Sequence, residues 1–355
     1  VYSNAYEDSI DSLRNMFKRL VLNVVGEFYI RFKDSTVANY MITKLGDGTG
    51  VTKKQLASIT DNQLGIPFKG NTEITSFDEL QYMTSLTAIM NEAFSGCSLL
   101  TSVIIPANIS TLGHNAFRNT SLKQVTISQT TSSILQSCFE DCYYLEKCMF
   151  EKNRTNPLSM RWAIFKNCSS LKEVILPDDI IVDTNLNNMF DGCTSLERVH
   201  LPSSLTKIYL GMFLNCSSLV DINIPTGITF IEMDAFTKCS ALSGVLDLSK
   251  CDKLTNINRH SFSYTTNLDS VLFPTNRTIV CEGNMFYVSG IKKAILPANL
   301  DLRNAGSMFA ACTNLSEVII DEGGEYIPIR MFDDCTALTK VIIPSTITDI
   351  DRESL

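Results

Sequence analysis

Hydrophobic and polar positions along this chain repeat on a long, nearly constant period. The phrase Phe-x-x-Cys-x-x-Leu-x-x-Val-x-Leu/Ile-Pro reads FSGCSLLTSVIIP from Phe94, FKNCSSLKEVILP from Phe165 and FDGCTSLERVHLP from Phe190. It returns as FLNCSSLVDINIP from Phe213 and FDDCTALTKVIIP from Phe332. Phe94, Phe117, Phe139, Phe165, Phe190, Phe213, Phe236, Phe262, Phe286, Phe309 and Phe332 hold one slot, with steps of 22 to 26 residues between neighbours. Such a period predicts a solenoid, because one coil cannot bury its apolar face alone and stacked neighbours bury it for one another.

Within a coil the pattern predicts its parts. Ile or Leu often stands five residues before Phe, as at Ile89, Leu112, Ile208, Ile231, Ile257 and Ile327, and Ala or Met usually stands just before it. After Phe comes a turn of Ser, Thr, Asn, Gly and Asp, residues that satisfy local backbone groups and tolerate tight turns. A short strand with period-two alternation follows, with Val174 and Leu176 on one face and Glu173 and Ile175 on the other. Proline then ends it at Pro106, Pro177, Pro202, Pro225, Pro274, Pro297 and Pro344, since it lacks the N–H a ladder needs. The strands are expected to stack into one parallel sheet, a spine of roughly 50 Å for the eleven coils at about 4.8 Å per strand.

This unit resembles the BspA-like leucine-rich repeat family, from about Phe77 to Leu355. The resemblance implies a leucine-rich repeat solenoid: a parallel β-sheet spine with a turn and short-helix outer layer. Members look like surface-exposed or secreted proteins that bind host proteins or other cells, and similar arrays occur in bacteriophage proteins. Some units depart from the pattern. Phe117 and Phe286 are followed by turns one residue shorter and without Cys, and the Phe236 unit runs into LDLSKCDKLTNI, which adds residues and loses the Pro stop. Local distortion of the stack is expected there.

The chain divides into an amino-terminal segment, residues 1–75, and the repeat array, residues 76–355. YEDSIDSLRNMFKRL predicts an amphipathic helix with Ile10, Leu13, Phe17 and Leu20 on one face. VLNVVGEFYIRF reads as a strand, Asp34 as the cap of a helix through Met41 ending near Gly46, and Thr52 with Gln55 as a capping box. GDGTGVTKKQLASIT is neither a phosphate loop nor a calcium loop. It lacks Gly-Lys-Ser/Thr, and placing Gly48 at the invariant glycine puts Thr43 and Leu45 in ligand positions. TSFDELQYMTSLTAI reads as a degenerate first repeat that caps the array, with Leu86 and Ile89 at the Leu and Val spacings. At the far end Leu355 falls in a Phe slot, so the last unit reads as truncated, and more chain or a partner is expected to cover it.

Composition narrows the function. A net charge of −8 without a Lys/Arg run argues against nucleic-acid binding. No apolar run approaches eighteen residues, so no membrane span is expected. Eleven of the twelve cysteines fall at inward positions of the repeat, leaving Cys251 unassigned. That placement predicts a buried thiol ladder of small hydrophobes, with disulfides as the alternative and zinc disfavoured by spacing. His114, His200 and His260 join no hydrolase or metalloprotease motif. No catalytic residue, metal or cofactor is therefore expected.

The remaining candidate is a surface. The outward slot of the strand holds Ile104, Thr126, Met149, Ile175, His200, Asn223, Leu246, Leu272, Ile295, Ile319 and Ile342, flanked by Lys147, Glu173, Arg198, Asp221, Lys293, Glu317 and Lys340. An apolar stripe with a charged rim is the make-up of a protein-contact surface. Strand propensity, or cover by the protein's own second layer, would give the same residues. Ile175, His200, Asn223, Leu272, Ile295, Ile319 and Ile342 are the candidate contact residues, with the stretch from Leu272 to Ile342 favoured. Two functions fit: an adhesive or recognition module at a cell surface, and a structural component of a virion or appendage docked through the amino-terminal segment. The partner is a protein in either case, with self-association among the expected modes.

Overall fold

The computed structural model describes residues 13, 14, 16, 29–46, 48, 50–154, 156–181 and 185–354. Most of the opening helix and most of the strand after it lie outside the described residues, as do Asp47 and Leu355. Tyr29 pairs antiparallel with Thr52, and Ile30 N donates to Val51 O (2.7 Å). Helix α1 (Ser35–Leu45) starts where expected: one Asp34 oxygen accepts from Thr36 N (2.8 Å) and Val37 N (3.1 Å), and Gly46 ends it. Helix α2 (Lys53–Ala57) carries the Thr52–Gln55 capping box, and Gln55 Nε2 also closes the Leu45 carbonyl of α1 (2.9 Å). Helix α3 (Asp61–Leu64) follows.

These helices sit on the first coil through two carboxylates. The second Asp34 oxygen accepts from Thr75 N (2.7 Å) and Thr75 Oγ1 (2.8 Å). Asp61 accepts from Thr87 N (2.8 Å), Thr87 Oγ1 (2.6 Å) and Ala88 N (3.1 Å). Thr75 and Thr87 each lead directly into the first strand of a ladder, Ser76–Phe77 and Ala88–Ile89.

From there the chain winds as a parallel β-solenoid, with three hydrogen-bonded faces. The spine strands pair in parallel, as in Glu173–Ile175 with Arg198–His200. A second ladder of short strands ends on the aliphatic residue five before Phe, as in Ile208 with Ile231 and Ile231 with Ile257. The third face is the Phe turn itself: Phe94 N donates to Ala116 O (2.8 Å), Phe117 N to Cys138 O (2.9 Å) and Phe190 N to Met212 O (3.0 Å). Every coil from Phe94 to Phe332 puts the residues two before and two after Phe at positive φ, as in Asn115 and Asn119 or Asn188 and Gly192. That conformation suits Gly, Asn and Asp, which explains the turn composition. Val288, at φ 55°, is β-branched and strained in the same slot.

The core is a column. Rings from Phe94 to Phe332 stack with centroids 5.2–6.1 Å apart and planes within 14° of parallel. Phe68, upstream of the recognised repeats, extends the stack onto Phe94 (6.0 Å, 9°). Each buried Phe contributes about 1.5–3 kcal/mol of apolar burial, alongside the buried Leu, Val, Ile and Met of its coil. The cysteines line it as free thiols, eleven buried and Cys335 half-buried. They also donate: Cys168 Sγ to Phe139 O (3.1 Å), Cys193 Sγ to Phe165 O (3.0 Å), and Cys216 Sγ to Phe190 O (3.1 Å). Where the repeat lacks Cys, buried Thr120 and Thr265 hydroxyls bond their own Phe carbonyls (3.0 and 2.7 Å), and Ser289 meets the Cys312 thiol (3.3 Å). The slot therefore asks for a small donor, and the shortened turns keep their rings in the stack. Cys251 is buried too.

Three expectations need correcting. The spine is not one sheet; its pairing is interrupted between Ser102–Val103 and Gln124–Ile127, between Asp221–Ile222 and Ser243–Asp247, and between Asn267–Leu272 and Lys293–Leu296. Ile89 lies in the second ladder, opposite Leu112, and Phe77 takes the spine position of the first coil. Leu246 points inward, because a bulge between Gly244 and Val245 shifts that strand by one residue and leaves Val245 exposed. A one-residue slip exchanges the two faces of a strand.

Candidate protein-contact surface

The structure sorts the predicted stripe into unequal parts. Ile295, Ile319 and Ile342 lie opposite one another on three adjacent paired strands, so their side chains form one continuous row. Ile295 is 45% exposed and Ile342 41%, while Ile319 between them is half-buried. Leu272 is exposed on the preceding strand, opposite Asp247 rather than in register with Ile295. Ile175, at 61% exposure, pairs with exposed His200.

Asn223 does something else. Its Oδ1 accepts from Leu201 N (2.8 Å) and its Nδ2 donates to Leu201 O (2.9 Å). The carboxamide thus substitutes for a backbone partner on the neighbouring coil and ends the local ladder. With Asn223 turned sideways and Leu246 buried, the expected stripe is two separate patches.

The rim of the carboxy-terminal patch is ion-paired. Glu317 accepts from Lys293 Nζ and Lys340 Nζ, both at 2.7 Å, and Lys292 pairs with Asp269 at 2.7 Å. The hydrogen bonds from Lys293 and Lys340 pull the Glu317 carboxyl down to about 2. Exposed pairs of this kind add little stability. They leave the Ile295–Ile319–Ile342 row as an apolar surface edged by one positive charge in excess.

One feature escaped the residue pattern. The Lys147–Phe150 and Glu173–Ile175 strands meet only at Lys147 and Glu173, and a cleft of about 720 Å³ opens beside Met149, Phe150 and Ile175. Its sequence signal was the 26-residue step from Phe139 to Phe165, which places extra residues after Phe150.

The histidines stay apart. His260 Nδ1 lies 3.2 Å from Ser263 Oγ in a Phe turn, and the His114 carbonyl receives Glu92 N (2.7 Å). Burial pushes the Cys97 and Cys142 thiols up to about 11 and that of Cys335 to about 12, the opposite of an activated nucleophile. Among the described residues no group of three or more His, Cys, Asp or Glu is placed to hold a metal ion. No described helix is long and apolar enough to cross a membrane.

These observations define a parallel β-solenoid repeat protein whose coils share one aromatic column. The family model for the BspA type leucine rich repeat region (6 copies) matches residues 68–186, 156–243 and 245–355, and the chain belongs to that family. Among solved structures it is similar to a leucine rich cell surface protein from Faecalibacterium prausnitzii, at 22% identity over 73% of this chain and 83% of that one, with a TM-score of 0.44. It is also similar to a leucine-rich repeat protein from Bacteroides ovatus (19% identity, 79% and 73% coverage, TM-score 0.48). It is similar as well to the pneumococcal vaccine antigen PcpA (17% identity, 76% and 68% coverage, TM-score 0.47). None of the curated proteins matches the chain.

Proposed function

We propose that this chain is a non-enzymatic protein-binding module that acts outside the cell or at its surface. The observation that supports this most directly is the in-register row of Ile295, Ile319 and Ile342 beside an ion-paired rim. Contact there would bury aliphatic area, the main favourable term in protein association. Family membership supports the same general role. A purely structural part docked through the amino-terminal segment is the weaker reading, because the described helices of that segment use Asp34 and Asp61 to close the first coil.

The test is binding of purified protein to an array of immobilised extracellular proteins, comparing wild type with Ile295→Asp plus Ile319→Asp. A partner whose affinity falls at least tenfold in the double variant, with an unchanged thermal melt, supports the reading. Unchanged affinity in the folded double variant removes this face.

A further inference from the structure

Among the described residues, Tyr264 and Tyr287 are the one pair of tyrosines in ring contact. They lie on neighbouring coils, and Tyr264 N donates to Tyr287 O (2.8 Å), which sets the two residues opposite each other. Their ring centroids are 5.6 Å apart, with planes at 84°. Tyr264 is 38% exposed and Tyr287 half-buried, so the pair is open to solvent. Among the described residues neither phenol has a hydrogen-bond partner, whereas those of Tyr40, Tyr143 and Tyr326 meet Lys44, Asp141 and Asp351.

Two observations set this pair apart from ordinary surface packing. The first is backbone strain. Tyr264 takes φ 59° in the left-handed slot that Gly, Asn or Asp fills in most coils. A bulky residue is costly there, and such outliers gather where the side chain has a task. The second is the absence of sulfur. Eight of the eleven coils put Cys three residues after Phe, but the coils of Phe262 and Phe286 put Thr265 and Ser289 there. The nearest thiols of that slot, Cys239 and Cys312, belong to the coils on either side, and Cys281 is buried in the second ladder. A thiol readily gives a hydrogen atom to a phenoxyl radical, so Cys in either slot would quench a radical formed beside it. The spine ladder is also interrupted between these two coils, at Asn267–Leu272 and Lys293–Leu296.

We propose that Tyr264 and Tyr287 form an oxidative cross-linking site. The oxidant is hydrogen peroxide acting through a haem peroxidase of the surroundings. Each phenol loses one electron and its hydroxyl proton, and the two phenoxyl radicals couple through ring carbons ortho to oxygen. The hydrogens on those two carbons then move to the oxygens, giving a dityrosine. The two electrons and two protons released reduce one peroxide to two waters. Rotation of the rings about χ2 brings the ortho carbons together. The new bond staples the Phe262 coil to the Phe286 coil where the spine lacks a ladder. The site stands whether or not the Ile295 row binds a partner.

Treating the whole protein with a haem peroxidase and limiting hydrogen peroxide, followed by tryptic mass mapping, tests this. The expected product is peptide 260–277 joined to peptide 278–292, lighter by two hydrogens than their sum, in protein of monomer mass with dityrosine fluorescence. Its yield should not depend on protein concentration and should exceed that from urea-unfolded protein at least tenfold. Tyr264→Phe and Tyr287→Phe should each abolish it, and Thr265→Cys should lower it at least threefold. The linked protein should melt at a higher temperature than the untreated one. Coupling that runs mainly between molecules through exposed Tyr144, or equally well in unfolded protein, overturns the proposal, as does a yield that Thr265→Cys leaves unchanged.

Discussion

In the interior of the solenoid, a backbone carbonyl receives each new coil. Thr87 O accepts Ser110 N (2.9 Å), Thr111 N (3.4 Å) and Ser110 Oγ (2.9 Å). At the amino end the Asp61 carboxylate receives the same three groups from Thr87 and Ala88. The spine repeats the substitution: Thr75 O accepts Thr101 N (2.9 Å) and Thr101 Oγ1 (3.0 Å), while Asp34 accepts the matching pair from Thr75. The first coil is thus closed by side chains imitating the coil that would precede it. The difference is chemical. A carbonyl does not titrate, whereas a carboxylate does, so the two regions should respond differently to acid and to mutation.

The largest effect belongs to the interior. Phe213→Ala opens a cavity between two stacked rings and should cost about 3–5 kcal/mol, read by chemical denaturation. If the loss is under 1 kcal/mol, the ring column is not what holds the coils together.

At the amino end, Asp61→Ala strands three donors and should cost about 1–3 kcal/mol. Loss of amide protection should centre on Thr87–Ile89 and leave coils beyond Phe165 unchanged. Partial burial pushes the Asp34 and Asp61 carboxyls up, but the hydrogen bonds from Thr75, Val37 and Thr36, and from Thr87 and Ala88, outweigh it and hold both below their ordinary 3.8. A folded-state value below the unfolded one means the stabilisation is complete above about 4 and is lost as pH falls through the folded value. Hydrogen exchange at pH 3 should therefore loosen the first coil before the interior, and Asp61→Asn should shrink that contrast. Uniform loosening along the array would break the comparison.

The smallest effect sharpens it from the other side. Val288 holds the left-handed position that Asn119, Asn167 and Asn215 fill elsewhere. Val288→Asn should raise stability by about 1 kcal/mol, measured as a higher denaturation midpoint. A neutral result would mean that neighbouring coils already absorb the strain.

What the sequence made legible follows from the range of the interactions. The Phe, Cys and Leu slots recur within one coil, and the structure buries them as read. The Thr52–Gln55 box and the Asp34 helix cap are equally local. Asp34's second task is not, since Thr75 lies 41 residues away. The second ladder showed only as a lone aliphatic position, because two-residue strands have no alternation to read. Ile295, Ile319 and Ile342 were legible as a row because their coils are regular. Asn223 and Leu246 were not, one turned by a bond to another coil and the other by a bulge.

The thiols, finally, make the molecule self-reporting. Kept protonated by burial and spread along the array, the eleven buried ones meet an alkylating reagent only when their own coil separates. Mass-mapped labelling would read which part of the array breathes, and how often, with no probe introduced.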